Sequence, residues 1–148
     1  MSDSAAYAPP LSDTARTLGH LGLLPFVLGA LLVWVVNDEA HGHVTLALSA
    51  YAALILSFLG GIHWGVAFRL SAPPALFLIW GVLPSLVAWL AVLMPPRAGL
   101  VVHGAMLVVC YAVDRKLYPT QGLAHWLGLR FRLSAVAALS CFLGAAGA

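Results

Sequence analysis

From Leu18 onward the chain is divided by short polar or prolyl breaks into five apolar runs, over about 18–36, 44–68, 75–94, 99–113 and 131–147. Runs of this length can be buried only in hydrocarbon or inside a large protein. Asn37, Asp38 and Glu39 close the first and Arg69 the second. Pro73-Pro74 and Pro95-Pro96 bracket the third, since proline lacks an amide donor and restricts the residue before it. Asp114, Arg115 and Lys116 stop the fourth, and Arg130 and Arg132 stand at the start of the fifth. Composition decides between the two kinds of burial: 62% of the 148 residues are apolar and 8% charged, with a mean hydropathy of +0.98. A soluble domain needs several times more charge to cover its surface. The reading is an all-α integral membrane bundle of about five transmembrane helices, a single domain over 18–148 behind a polar leader, 1–17.

At about 1.5 Å per residue the second run exceeds the thickness of the hydrocarbon core, so it must tilt or protrude. The fourth and fifth fall short of about 20 residues, and Arg130 and Arg132 are expected to snorkel to the interface. Arg16, Arg69, Arg115, Lys116, Arg130 and Arg132 fall on one side of a five-span arrangement and only Arg97 on the other. The positive-inside rule then puts the N-terminus in the cytoplasm and the C-terminus in the periplasm. The first run is longer than a signal-peptide core, and the leader is not Arg-rich as a mitochondrial presequence is, so the expected location is a bacterial inner membrane.

Little in the chain has the spacing that chemistry needs. Cys110 and Cys141 lie inside apolar runs, which is neither a disulfide framework nor a zinc pattern. No nucleophile–base pattern, Gly-rich phosphate loop, HExxH or paired carboxylate occurs, so enzyme function is disfavoured; no metal and no cofactor is expected. His63 and His103 belong to opposite halves of the membrane and do not form a bis-His haem site. His20 and His63 share a depth, and His41 and His43 are expected to be solvated in the outer loop. No basic patch for nucleic acid is present.

In the second run, Ser49, Ala53, Ser57, Gly61 and Gly65 recur every four residues as one stripe of small side chains, the pattern that lets two helix backbones approach. This helix is expected at the centre of the bundle or of a dimer. His63 points roughly 200° away from Gly61, and an intramembrane imidazole is either satisfied structurally or a site. His103, Cys110 and Asp114 share one inward face of the fourth run, and Asp114 with the adjacent Arg115 could form a local or an interhelix ion pair rather than a site. Pro25 and Pro84 are candidate kinks at similar depth; their alternative reading is the general tolerance of membrane helices for proline. Taken by depth alone, His63, Trp64, Asp114, His20 and Tyr118 form a candidate pocket in the inner half.

The segment Tyr51 to Gly65, with Ile55-Leu56-Ser57-Phe58-Leu59-Gly60-Gly61-Ile62-His63-Trp64-Gly65 at its heart, resembles a family known as the domain of unknown function "thirty-four twenty-nine", which has animal mitochondrial members. Gly22-Leu23-Leu24-Pro25-Phe26, Leu83-Pro84-Ser85-Leu86 with Trp89, Asp114, and Leu129-Arg130 with Leu133-Ser134 resemble its weaker marks, from Leu21 to about Leu139. The resemblance implies a small multi-helix membrane protein and supplies no reaction.

Two functions fit these features. The first is a non-enzymatic accessory or assembly component that packs against other membrane helices, as a homo-oligomer or in a larger membrane complex. The second is a small transporter or a lipid- or quinone-binding protein with its pocket around His63 and Asp114.

Overall fold

The computed structural model describes residues 10–148, and within them every regular element is helical. α1 (Asp13–Leu21) and α2 (Leu24–Val35) make the first span, α3 (Asp38–Ala67) the second, α4 (Ala75–Val92) the third, α5 (Pro96–Leu117) the fourth and α6 (Leu127–Gly147) the fifth. Among the described residues, five helical stretches are long and apolar enough to cross a membrane, with α1 and α2 counted together. The expected leader lies outside the described residues as far as residue 9. From Asp13 it is already helix, begun by Ser12, whose hydroxyl accepts from the Ala15 amide at 3.2 Å.

Several boundaries differ from those expected, each for a local reason. At Pro25 the first span does more than bend: α1 stops at Leu21 and α2 restarts at Leu24, with Pro25 in a first turn where its missing donor costs nothing. Pro84, by contrast, stays inside an uninterrupted α4. The acidic segment after Val36 is not a loop. Asn37 caps α3 by accepting from the Ala40 amide at 3.1 Å, and Asp38 and Glu39 fill the first turn, where carboxylates meet the positive end of the helix dipole. His41 and His43 therefore stand on α3 rather than in an outer loop; His41 is half-buried and its Nε2 donates to the Gly147 carbonyl at 2.9 Å. α5 continues to Leu117, and α6 begins at Leu127, which places Arg130 inside a helix and not ahead of one.

α3 is the hub, touching α2, α4, α5 and α6. Its buried face runs through Leu48, Ala52, Leu56, Leu59, Gly60, His63 and Ala67, at spacings of three and four. At Gly60 the backbones of α3 and α4 nearly meet, since a Cβ there would lie 2.5 Å from the Gly81 carbonyl oxygen. The small-residue stripe lies one residue over, about 100° around the helix. Ser49 is buried and Ala53 half-buried, but Ser57, Gly61 and Gly65 are exposed, and nothing stands within 4 Å of a Cβ built at Gly61 or Gly65. Leu54, Phe58, Leu76 and Trp89 are among the apolar side chains that cover the outside, as suits a surface met by lipid.

Candidate functional site

A buried ionic cluster is assembled by three helices in the half of the bundle that holds α1 and the α5–α6 connection. Asp114 lies on the buried face of α5, four residues beyond Cys110 and seven beyond Leu107. After it the chain turns back through two 3-10 turns, over Pro119–Gln121 and Ala124–Trp126, with Gly122 between them at φ 71, a left-handed conformation that favours glycine. α6 then returns beside α5, and Arg130 begins its buried face with Ser134, Ala137 and Cys141. His63 comes from the buried face of α3.

The carboxylate of Asp114 is the centre. His63 Nε2 donates to Oδ1 at 3.0 Å, while Arg130 Nε and Nη2 both donate to Oδ2, at 2.9 and 2.6 Å. All three residues are buried, at 2% exposure for His63 and Asp114 and 7% for Arg130. Taking such charges out of water is costly, and it is tolerated where each polar atom finds a partner of opposite sign. The bond to Asp114 also requires the proton of His63 on Nε2. The imidazole stands edge-on to Phe77, ring centroids 5.9 Å apart, and 6.1 Å from the ring of Tyr118. Tyr118, just past the end of α5, is buried; that burial first, and the Asp114 carboxylate after it, push its phenol up to about 12, so it keeps its proton.

Of the five residues grouped by depth, the structure brings together His63, Asp114 and Tyr118 and leaves Trp64 and His20 apart. Trp64 faces α4: its Nε1 donates to the Leu78 carbonyl at 3.0 Å, and its indole fills the space where a Cβ at Gly81 would be. His20 is exposed near the end of α1 and donates from Nδ1 to the Arg16 carbonyl at 2.7 Å. The partner of Asp114 is Arg130, not the adjacent Arg115, which is exposed. Arg130 does not snorkel as expected, whereas Arg132 is exposed. The three- and four-residue spacing of Arg130, Ser134, Ala137 and Cys141 was the available signal for its inward face.

A second buried pair, Ser49 and His103, shares a hydrogen bond of 3.0 Å about 20 Å further along α3, estimated from the helical rise. Among the described residues no group of three or more His, Cys, Asp or Glu side chains could hold a metal ion.

Beside the ionic cluster opens a cleft of about 570 Å³, within the size range of small-molecule sites. Leu18 of α1, Phe26 of α2, Phe58 and Ile62 of α3, and Leu133 and Ala137 of α6 form much of its apolar wall. Tyr118 and Trp126 line it towards the α5–α6 connection, and Arg130 and Ser134 line it from α6. Ser134 is 4% exposed, and its Oγ has no hydrogen-bond partner.

The sequence of Transmembrane protein 69 from Xenopus tropicalis is 38% identical to this one over 134 residues, which is 85% of this chain and 51% of the relative. The chain thus spans about half the length of that curated relative. No solved structure matches it. Residues 11–146, which include all of α1 to α5 and all but the last residue of α6, match the model of the family described as Protein of unknown function (DUF3429), and the chain belongs to that family.

Proposed function

We propose that this chain is a non-enzymatic membrane protein that holds a small amphiphilic molecule from the bilayer in the cleft between α1–α2, α3 and α6. The observation that carries this reading is the cleft itself, whose apolar walls end at the buried Arg130 and at Tyr118 beside the ionic cluster. A long apolar wall with a few polar groups gathered at one end suits a ligand with a tail and a head. His63 and Asp114 serve this site at one remove. They hold the Arg130 guanidinium in place, and Arg130 rather than either of them reaches the cleft.

The setting we propose is a bacterial inner membrane, with the N-terminus in the cytoplasm, on the strength of the basic residues gathered at one end of the spans. A second reading, an accessory component of a larger membrane complex or a homo-oligomer, is favoured by the open face at Gly61 and Gly65, where a partner helix could approach closely.

The test is purification from native membranes in mild detergent, followed by organic extraction and mass spectrometry, with Ala15→Trp as the comparison. Ala15 lines the cleft from α1, a helix without buried residues, so the larger side chain fills the cleft at little cost to the fold. One small molecule near stoichiometric in the parent chain and depleted in Ala15→Trp is the expected result. An extract with only bulk lipid, in the same proportions for both proteins, overturns the reading.

A further inference from the structure

We infer that the head of the molecule held in the cleft is a neutral carbonyl, bound as a hydrogen-bond acceptor by Arg130 and Ser134 of α6. The inference rests on the ligand-binding reading above and adds the chemistry of the ligand to it. Charge comes first. The guanidinium of Arg130 is already compensated by Asp114, which contacts it through two nitrogens, so the pair as a whole carries no net charge. A carboxylate or phosphate head placed beside it would bring an uncompensated charge into a buried apolar setting.

Hydrogen-bonding capacity comes second. Asp114 takes one donor from Nε and one from Nη2, and a guanidinium has five N–H groups, so Arg130 retains donor capacity towards the cleft it lines. Ser134, one turn further along α6, lines the same cleft, and its buried hydroxyl has no partner in the fold. A buried hydroxyl without a partner is rare enough to need an explanation, and a bound acceptor supplies one. Tyr118, with its phenol protonated, adds another donor on that side. A lining that offers donors and no spare charge matches a carbonyl oxygen.

Position comes third. Arg130 and Ser134 are about 6 Å apart along α6 and Ala137 about 5 Å beyond, by the helical rise. The head therefore sits near the α5–α6 connection, where Trp126 also lines the cleft, and the tail runs past Phe26 and Ala137 towards the middle of the bundle. Two kinds of membrane molecule carry such a carbonyl on an apolar tail: a prenylated or alkylated quinone, and an acyl ester.

The experiment uses the full chain in nanodiscs with three probes of matched tail length: a decyl-substituted benzoquinone, a monoacylglycerol, and the corresponding fatty acid as its carboxylate. Bound probe per protein is measured by mass spectrometry after gel filtration over a concentration series, for the parent chain, Ser134→Ala and Ala15→Trp. One of the neutral probes is expected to bind tighter than the carboxylate, and which of the two binds tells the quinone source from the ester source. Ser134→Ala should weaken that probe about tenfold or somewhat less, the worth of one hydrogen bond. Its melting temperature should not fall, because the hydroxyl it removes has no partner in the fold. Tightest binding by the carboxylate, or equal affinity of parent and Ser134→Ala for the best neutral probe, overturns the inference and leaves the cleft reading standing. No binding of any probe, or binding that Ala15→Trp leaves unchanged, overturns both.

Discussion

Asp114 accepts three hydrogen bonds from two other helices, so its removal and the removal of Arg130 are not separate events. Arg130→Leu leaves a carboxylate buried with only His63, and Asp114→Leu leaves a guanidinium buried with no counter-ion at 2.6 Å. Either change is expected to cost roughly 3–5 kcal/mol, the usual penalty for breaking a buried pair on one side. The double variant removes both charges and should recover a large part of that loss, a coupling that a double-mutant cycle on thermal melting in detergent measures directly. Additive losses would mean that the two side chains act independently. His63 was legible as a polar residue inside an apolar run, because a polar group in hydrocarbon demands a reason, and Asp114 by the face it shares with His103 and Cys110 at the end of its run. Arg130 was hidden for a physical cause: near the end of a span, an arginine satisfies the topology rule and can snorkel, so its type and position fit the interface as well as the interior. Only its register with Ser134, Ala137 and Cys141 separates the two.

Between elements, the seam of α3 with α4 depends on glycines that the sequence contains in two adjacent registers. Gly60 is pressed against the Gly81 backbone, while Gly61 looks outward into open space. A four-residue repeat of small side chains gives spacing but not azimuth: Gly61 belongs to that repeat, whereas Gly60, with Leu56 and Trp64 four residues to either side, does not, and the buried His63 and Ala67 fix Gly60 as the one that faces the bundle. Gly60→Val should push α3 and α4 apart and cost about 1–3 kcal/mol, as overpacking commonly does. Gly61→Leu should leave the melting temperature of the monomer unchanged, within about 0.5 kcal/mol. Thermal melting of both variants in the same detergent checks the pair, and equal destabilisation would place the seam on the wrong face. Helix ends were less legible than helix existence. Asn37 with Asp38 and Glu39 reads as a break by hydropathy, and the same three residues are good helix starters by capping and dipole.

For the whole molecule, the five-span count followed from hydropathy and prolines alone, and the helical stretches long and apolar enough to cross agree with it. The interior arrangement did not follow, because contacts between helices depend on azimuth, which apolar runs hydrophobic all round do not specify. The basic residues illustrate how one residue type serves two purposes. Arg130 is buried in an ion pair, whereas Arg115 and Lys116 at the end of α5 are exposed and outside any salt bridge among the described residues. Fold and orientation should therefore respond to different arginines. Replacing Arg115 and Lys116 together by Leu should lower the share of correctly oriented molecules while leaving the melting temperature of the inserted protein nearly unchanged. Reporter fusions after Val36, Arg69, Pro96, Lys116 and Ala148 read the orientation, with alternating sides expected for the parent chain and mixed sides for the double replacement. Unmixed, parent-like alternation in the Leu variant would assign the orientation to other charges, and a large fall in melting temperature would mean that Arg115 or Lys116 holds the bundle together as Arg130 does.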